Sequence, residues 1–251
     1  MPSAIITGAA SGLGLATAQR LFADGYAVVG IDIDEARGNE AFAQFGDKGK
    51  FVKADVADEA GVSAAVAAAT ALGDLRVAVC CAGIGTVGRM LDKEGNPHPL
   101  DRFERTIRVN LVGTFNVMRL AAAAMAKNTP DSDNQRGVLI TTASIAAFEG
   151  QIGQVSYSAS KGGVASMTLP IARDLAQYGI RALTIAPGIF DTPMVAGLPE
   201  KARESIAASI PNPSRLGRPE EYADLVSVIV RSHYMNGTTY RIDGSIRLSP
   251  R

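Results

Sequence analysis

The chain has 251 residues with 25 basic and 25 acidic side chains, so it has no excess positive charge with which to hold a nucleic-acid backbone. A composition 47% hydrophobic and 20% charged suits one domain with a large core, read here as a single unit over residues 1–251. No apolar run reaches the ~18 residues of a membrane span, and a strand pattern already begins near Ser3, so a cytoplasmic protein is expected.

In chain order, Ala4 to Thr7 is a short apolar run, and Leu13 to Asp24 carries helical periodicity. Between them T7-G-A-A-S-G-L-G14 places Gly8, Gly12 and Gly14 where a backbone must turn tightly and approach a ligand, with the next helix offering its first amides to a phosphate. A second buried run from Tyr26 ends at Asp32, about twenty residues on, where a carboxylate can accept both hydroxyls of an adenosine ribose. The same charge repels a 2′-phosphate, so NAD is expected over NADP. As a lesser alternative, Asp32 merely caps the next helix.

The alternation continues. Lys50 to Lys53 reads as a third strand ending before Asp55 and Val56, Asp58 to Ala71 as an alanine-rich helix, and Leu75 to Cys80 as a fourth strand running into Cys81-Ala-Gly83. The adjacent Cys80 and Cys81 point to opposite faces of that strand, which excludes a disulfide framework. Thr86 to Pro99 is a surface loop containing His98, read as solvated like His233, and Leu100 to Ala126 is one long helix containing Asn110. Gly137 to Thr142 is a fifth strand, Val155 to Tyr178 a helix with a kink or tightened turn expected at Pro170, Ile180 to Ile185 a sixth strand, Glu220 to Ser232 a helix and Thr239 to Ile242 a last strand. This pattern predicts an α/β fold, a Rossmann-like three-layer sandwich with a seven-stranded parallel sheet. The proline-rich stretch over about 188–214, helical only from Glu200 to Ala208, reads as a substrate lid, because Ile189, Phe190, Met194, Val195, Leu198 and Ile206 give it apolar surface to bury. No spacing suggests a metal.

The chemistry concentrates between Ser144 and Lys161. Tyr157 and Lys161 are four apart and share one helix face, and Ser144 lies at the carboxyl end of the fifth strand, where open α/β sheets place their sites. A free tyrosine titrates near ~10, and a cation one turn away favours its phenolate. Tyr157 with Lys161 is thus a candidate general base, and Ser144 a candidate anchor for the substrate oxygen. A G-x-S-x-G elbow with a histidine, which a serine hydrolase requires, does not occur.

The pattern T7-G-x-x-x-G-x-G14, Asp55, C81-A-G, Asn110, Ser144, Y157-x-x-x-K161 and Pro187-Gly188 resembles the short-chain dehydrogenase/reductase family over the whole chain. That family usually has asparagine where Cys80 stands. The runs A-A-F-E-G-Q-I-G-Q, M-T-L-P-I-A-R-D-L-A and R-I-D-G-S-I-R are similar to its type 2 3-hydroxyacyl-CoA dehydrogenase branch, also called 17β-hydroxysteroid dehydrogenase type 10. The resemblance implies NAD-dependent oxidation of the 3-hydroxyl of short or branched 3-hydroxyacyl-CoA and a homotetramer. By position it assigns Ser144, Tyr157, Lys161 and Asn110 to catalysis, Asn110 through a proton-relaying water. Gly8, Ser11, Gly12, Leu13, Gly14, Asp32, Asp55, Val56, Cys81, Gly83, Tyr157, Lys161, Pro187, Phe190 and Thr192 fall to the cofactor, and Ser144, Gln151 and Tyr157 to the substrate. A 3-oxoacyl reductase and a hydroxysteroid dehydrogenase are the alternatives within the class, and a non-catalytic nucleotide sensor outside it.

Overall fold

Runs of β-branched and small apolar residues, each ended by glycine or a polar turn, form seven strands. In the structure, a computed structural model that describes residues 1–197 and 199–250, these are β1 (Pro2–Thr7), β2 (Ala27–Asp32), β3 (Gly49–Lys53), β4 (Asp74–Cys80), β5 (Gly137–Thr142), β6 (Ile180–Pro187) and β7 (Thr239–Ile242). They form one parallel sheet in the order β3-β2-β1-β4-β5-β6-β7. The order reverses between β1 and β4, which opens a crevice outside their carboxyl ends.

Helices cover both faces because alternate strand residues point opposite ways. Ile5, Val29, Cys80 and Leu139 pack under α3 (Glu59–Leu72), α5 (Thr114–Met125) and α6 (Val155–Leu175), through Val62, Ala65, Val117, Ala121 and Ala172. Their neighbours Ile6, Val28, Val79 and Ile140 pack under α1 (Gly12–Ala23), α2 (Glu35–Phe42) and α9 (Pro219–Arg231), through Leu21, Phe42, Tyr222 and Val226. Cys81 packs on this second face, opposite Cys80. In place of the family's asparagine, Cys80 fills core, and β1 and the end of β4 are joined by Ala82 N–H donating to Thr7 Oγ1 at 3.0 Å.

Several elements differ from the sequence expectation. α2 is short and polar, with Gly38 inside, and exists because Asp34, not Asp32, caps it and Gly38 leaves room for the Phe51 ring. The long helix is instead α4 (Leu100–Ile107), a π turn at Arg108–Gly113, and α5. α6 runs on through Pro170, as the single helix expected there, with Pro170 exposed and so too Ser166, whose carbonyl loses its donor. His98 is not simply solvated, for its ring packs against Gly88 and its Nε2 is buried without a hydrogen-bond partner among the described residues. His233 pairs with Asp133 at 2.8 Å. The 188–214 segment carries α7 (Pro193–Ala196) and α8 (Glu200–Ala208), with Phe190 and Ile210 buried at its base. Leu198, expected to help settle it, lies outside the described residues, as does Arg251.

Candidate active site

The glycine turn after β1 is built by necessity of space. Gly8 and Gly12 have φ of +65° and +53°, a region costly for other residues. A Cβ on Gly14 would overlap the Gly8 carbonyl, so glycine there lets α1 begin against the turn. Ser11 is the N-cap of α1, yet its side chain caps nothing, and Leu13 follows in the first turn. The first amides of α1 thus face the crevice, a suitable seat for a phosphate. Asp32, at the end of β2, fixes the turn from beside it: its carboxylate accepts from Ala10 N–H and Asp34 N–H, both at 3.1 Å. Asp55 is exposed after β3, with Ala57 N–H donating to its Oδ1 at 2.9 Å, and Val56 is buried against Gly113. Across the crevice, Thr192 lies against Gly12, and Phe190 stacks edge-on over Tyr222 with ring centroids 6.4 Å apart. Pro187 ends β6 in the core. These residues enclose one strip from β2 to β6, and its glycine cradle fits a dinucleotide.

The catalytic candidates converge beside that strip. Ser144 follows β5 in extended conformation, its Oγ accepting from Ala146 N–H at 3.1 Å, and its hydroxyl acts to lower the Tyr157 pKa. Lys161 is buried one turn along α6, with Nζ 5.8 Å from the centroid of the Tyr157 ring. It donates to the Thr142 carbonyl at 2.7 Å, a contact the sequence did not reveal because Thr142 is nineteen residues away and acts through its backbone. The electrostatics also run against the sequence expectation. Burial pushes the Tyr157 phenol up, and the Ser144 hydroxyl offsets only part of this. Burial brings Lys161 down to about 8, so its ammonium is itself costly to hold and is not among the causes that lower Tyr157.

With this geometry established, the chain can be compared with known proteins. The family model described as short chain dehydrogenase matches residues 2–203. The chain belongs to that family. It is 51% identical to human 3-hydroxyacyl-CoA dehydrogenase type-2, over 98% of this chain and 95% of that protein, and 52% identical to the Drosophila melanogaster enzyme of the same name, over 98% and 97%. Among solved structures it is similar to 3-hydroxyacyl-CoA dehydrogenase type-2 from Mycobacterium avium, with TM-score 0.96, 43% identity and coverage of 100% and 97% of the two chains. It is also similar to 3-ketoacyl-(acyl-carrier-protein) reductase from Brucella melitensis complexed with NADH, with TM-score 0.86, 28% identity and coverage of 98% of each. Short chain dehydrogenases use a nicotinamide cofactor.

The remaining candidates of this short chain dehydrogenase are placed as follows. Asn110 is fully buried in the π turn, where its side chain receives Ile84 N–H at 2.8 Å and donates to Ile84 O at 2.9 Å and to Ser160 Oγ at 3.1 Å. The amide thus clamps the chain after β4 beside the site. A Cβ on Gly83 would stand 3.2 Å from Asn110 Oδ1 and 3.5 Å from Lys161 Nζ, so glycine lets that chain run close to both. Cys81 Sγ accepts from Thr142 Oγ1 at 3.6 Å, and Thr142 Oγ1 bonds the Tyr222 hydroxyl at 2.7 Å, forming a buried polar floor the sequence did not indicate. Gln151 lies in the loop after Ser144, where its Nε2 donates to Ser249 O at 3.0 Å.

Proposed function

We propose that this protein is an NAD-dependent dehydrogenase that oxidises the 3-hydroxyl of short or branched 3-hydroxyacyl-CoA thioesters. The observation that carries the chemistry is the convergence of Ser144 at the end of β5 with Tyr157 and buried Lys161 on one face of α6, Lys161 Nζ standing 5.8 Å from the centroid of the Tyr157 ring. In this reading Ser144 holds the substrate hydroxyl and Tyr157 takes its proton as the C3–H bond breaks and the carbonyl forms. The nicotinamide ring, when bound, supplies the acceptor for the hydride leaving C3. Lys161 holds positive charge beside the phenolate, and the Asn110 clamp keeps the chain after β4 in place around the pair. The 3-hydroxyacyl class is supported by the relatives about half identical over nearly the whole chain. NAD is supported by Asp32, whose carboxylate borders the glycine turn. Gly8, Ser11, Gly12, Leu13, Gly14, Asp55, Val56, Cys81, Gly83, Pro187, Phe190 and Thr192 would line the dinucleotide.

The test is a panel of 3-hydroxyacyl-CoAs, hydroxysteroids and simple secondary alcohols, each assayed with NAD and with NADP. Highest kcat/KM for a 3-hydroxyacyl-CoA with NAD is the expected result, and turnover confined to steroids or simple alcohols would overturn the substrate class. The NADH-complexed reductase relative favours a second reading, in which the same groups run in reverse on a 3-oxoacyl thioester. We also propose a cytoplasmic homotetramer. Half-exposed Val112, Phe115 and Leu169 on the helices flanking the site support the assembly.

A further inference from the structure

Outside the catalytic trio, one group of charged side chains ties three parts of the chain together. Glu149 closes the turn that Ser144 opens, for Ala147 N–H donates to Ser144 O and Glu149 N–H to Ile145 O, both at 3.0 Å. Its carboxylate receives both terminal nitrogens of Arg241 on β7, at 2.6 and 3.3 Å, and Leu248 N–H at 3.3 Å, with Arg247 Nε also 3.3 Å away. Arg241 and Arg247 share Asp243 Oδ2, at 2.7 and 3.2 Å. Asp243 in turn lies against Gly188 at the root of the lid, where even a Cβ would come within 2.8 Å of its backbone.

Apolar packing follows the same seam. Ile145 from the serine turn, Ile210 from the lid and Ile246 after β7 are all buried together, with Ile189, Leu216 and Leu248 against them. Further along, Ile152 N–H donates to Pro250 O at 3.1 Å, and Gly88 N–H to Gly153 O at 2.8 Å. The segment 243–250 therefore borders the loop that follows Ser144 over its whole length. None of these charged groups takes part in moving the proton or hydride.

We propose that Glu149 is a positioning residue: by clamping Arg241 and Leu248 it fixes the 144–154 loop against the 243–250 segment as one wall of the substrate entrance, and so sets KM for the substrate and not the rate of the chemical step. The choice of substrate rests on the proposed function, but the clamp does not. A bidentate arginine–carboxylate contact is geometrically demanding, so replacing either partner with an amide loosens the wall without emptying it.

The experiment compares the wild type with Glu149→Gln, Arg241→Gln and the double variant. On whichever panel compound the wild type turns over, each single variant should raise KM about threefold to tenfold, the range of partly exposed ion pairs in a network. The kcat and the Kd for NAD should stay within about twofold, and the double variant should raise KM by less than the product of the two single effects, because both singles remove the shared bidentate contact. Hydrogen exchange of the 145–154 backbone should quicken in every variant, while the 5–15 peptide is unchanged. Unchanged exchange in 145–154, additive KM effects, or a fall in kcat parallel to a fall in Tm with KM constant would each overturn the proposal. If no 3-hydroxyacyl-CoA is a substrate, the proposed function fails, and the exchange measurement still decides the clamp.

Discussion

Tyr157 carries the most direct test of the chemistry. Tyr157→Phe keeps the ring and removes the proton acceptor, so turnover should fall below about a hundredth of wild type while NAD still binds, as isothermal titration would show. The pH dependence follows from the two shifts together. Burial raises the Tyr157 phenol and lowers Lys161 to about 8, so as the pH rises Lys161 is the first of the two to lose its proton. A neutral Lys161 can take up the phenol's proton, and the pair is then in the form that can accept the substrate's. Oxidation should therefore climb with pH through about 8, and reduction should fall over the same window. An oxidation profile flat from about pH 6.5 to about pH 9.5 would refute the pair as the base. At the cofactor end, Asp32→Ala removes the charge facing a 2′-phosphate, and the ratio of kcat/KM for NAD over NADP should shrink by about tenfold or more.

The π turn at Arg108–Gly113 explains an element that periodicity alone misses. Helical periodicity is the same on either side of it, and the reason for the extra residue lies in another part of the chain: Asn110 serves both backbone groups of Ile84, twenty-six residues away. Asn110→Ala leaves that N–H and C=O without their partner, and unfolding free energy should drop by about 1–3 kcal/mol in a denaturant titration, with activity falling as Gly83 loses its support. The glycine turn is subject to space in the same way. Gly14→Ala forces a methyl into the Gly8 carbonyl, so NAD binding should weaken at least tenfold, which fluorescence titration would report. α2 marks the opposite limit, since its polar sequence has little helical signal and its packing is supplied by Phe51 of β3 and by Phe45.

For the whole molecule, light scattering at micromolar concentration should report four chains per particle if the half-exposed Val112, Phe115 and Leu169 are covered by other copies. A monomer would refute that assembly. The sequence by itself determined the alternation of strands and helices, because short continuous apolar runs and period-3.6 runs are written locally, and with it the parallel sheet and the crevice beside Gly8. It also determined that Tyr157 and Lys161 share a face, since a spacing of four on a helix leaves no other arrangement. Only the tertiary structure decided what surrounds them. Lys161 bonds Thr142 O, Gln151 bonds Ser249 O, and Glu149 bonds Arg241, partners nineteen, ninety-eight and ninety-two residues distant. The direction in which Tyr157 shifts was decided there too, because desolvation depends on how completely the folded chain excludes water, and the distance from Tyr157 to Lys161 along the helix does not contain that quantity.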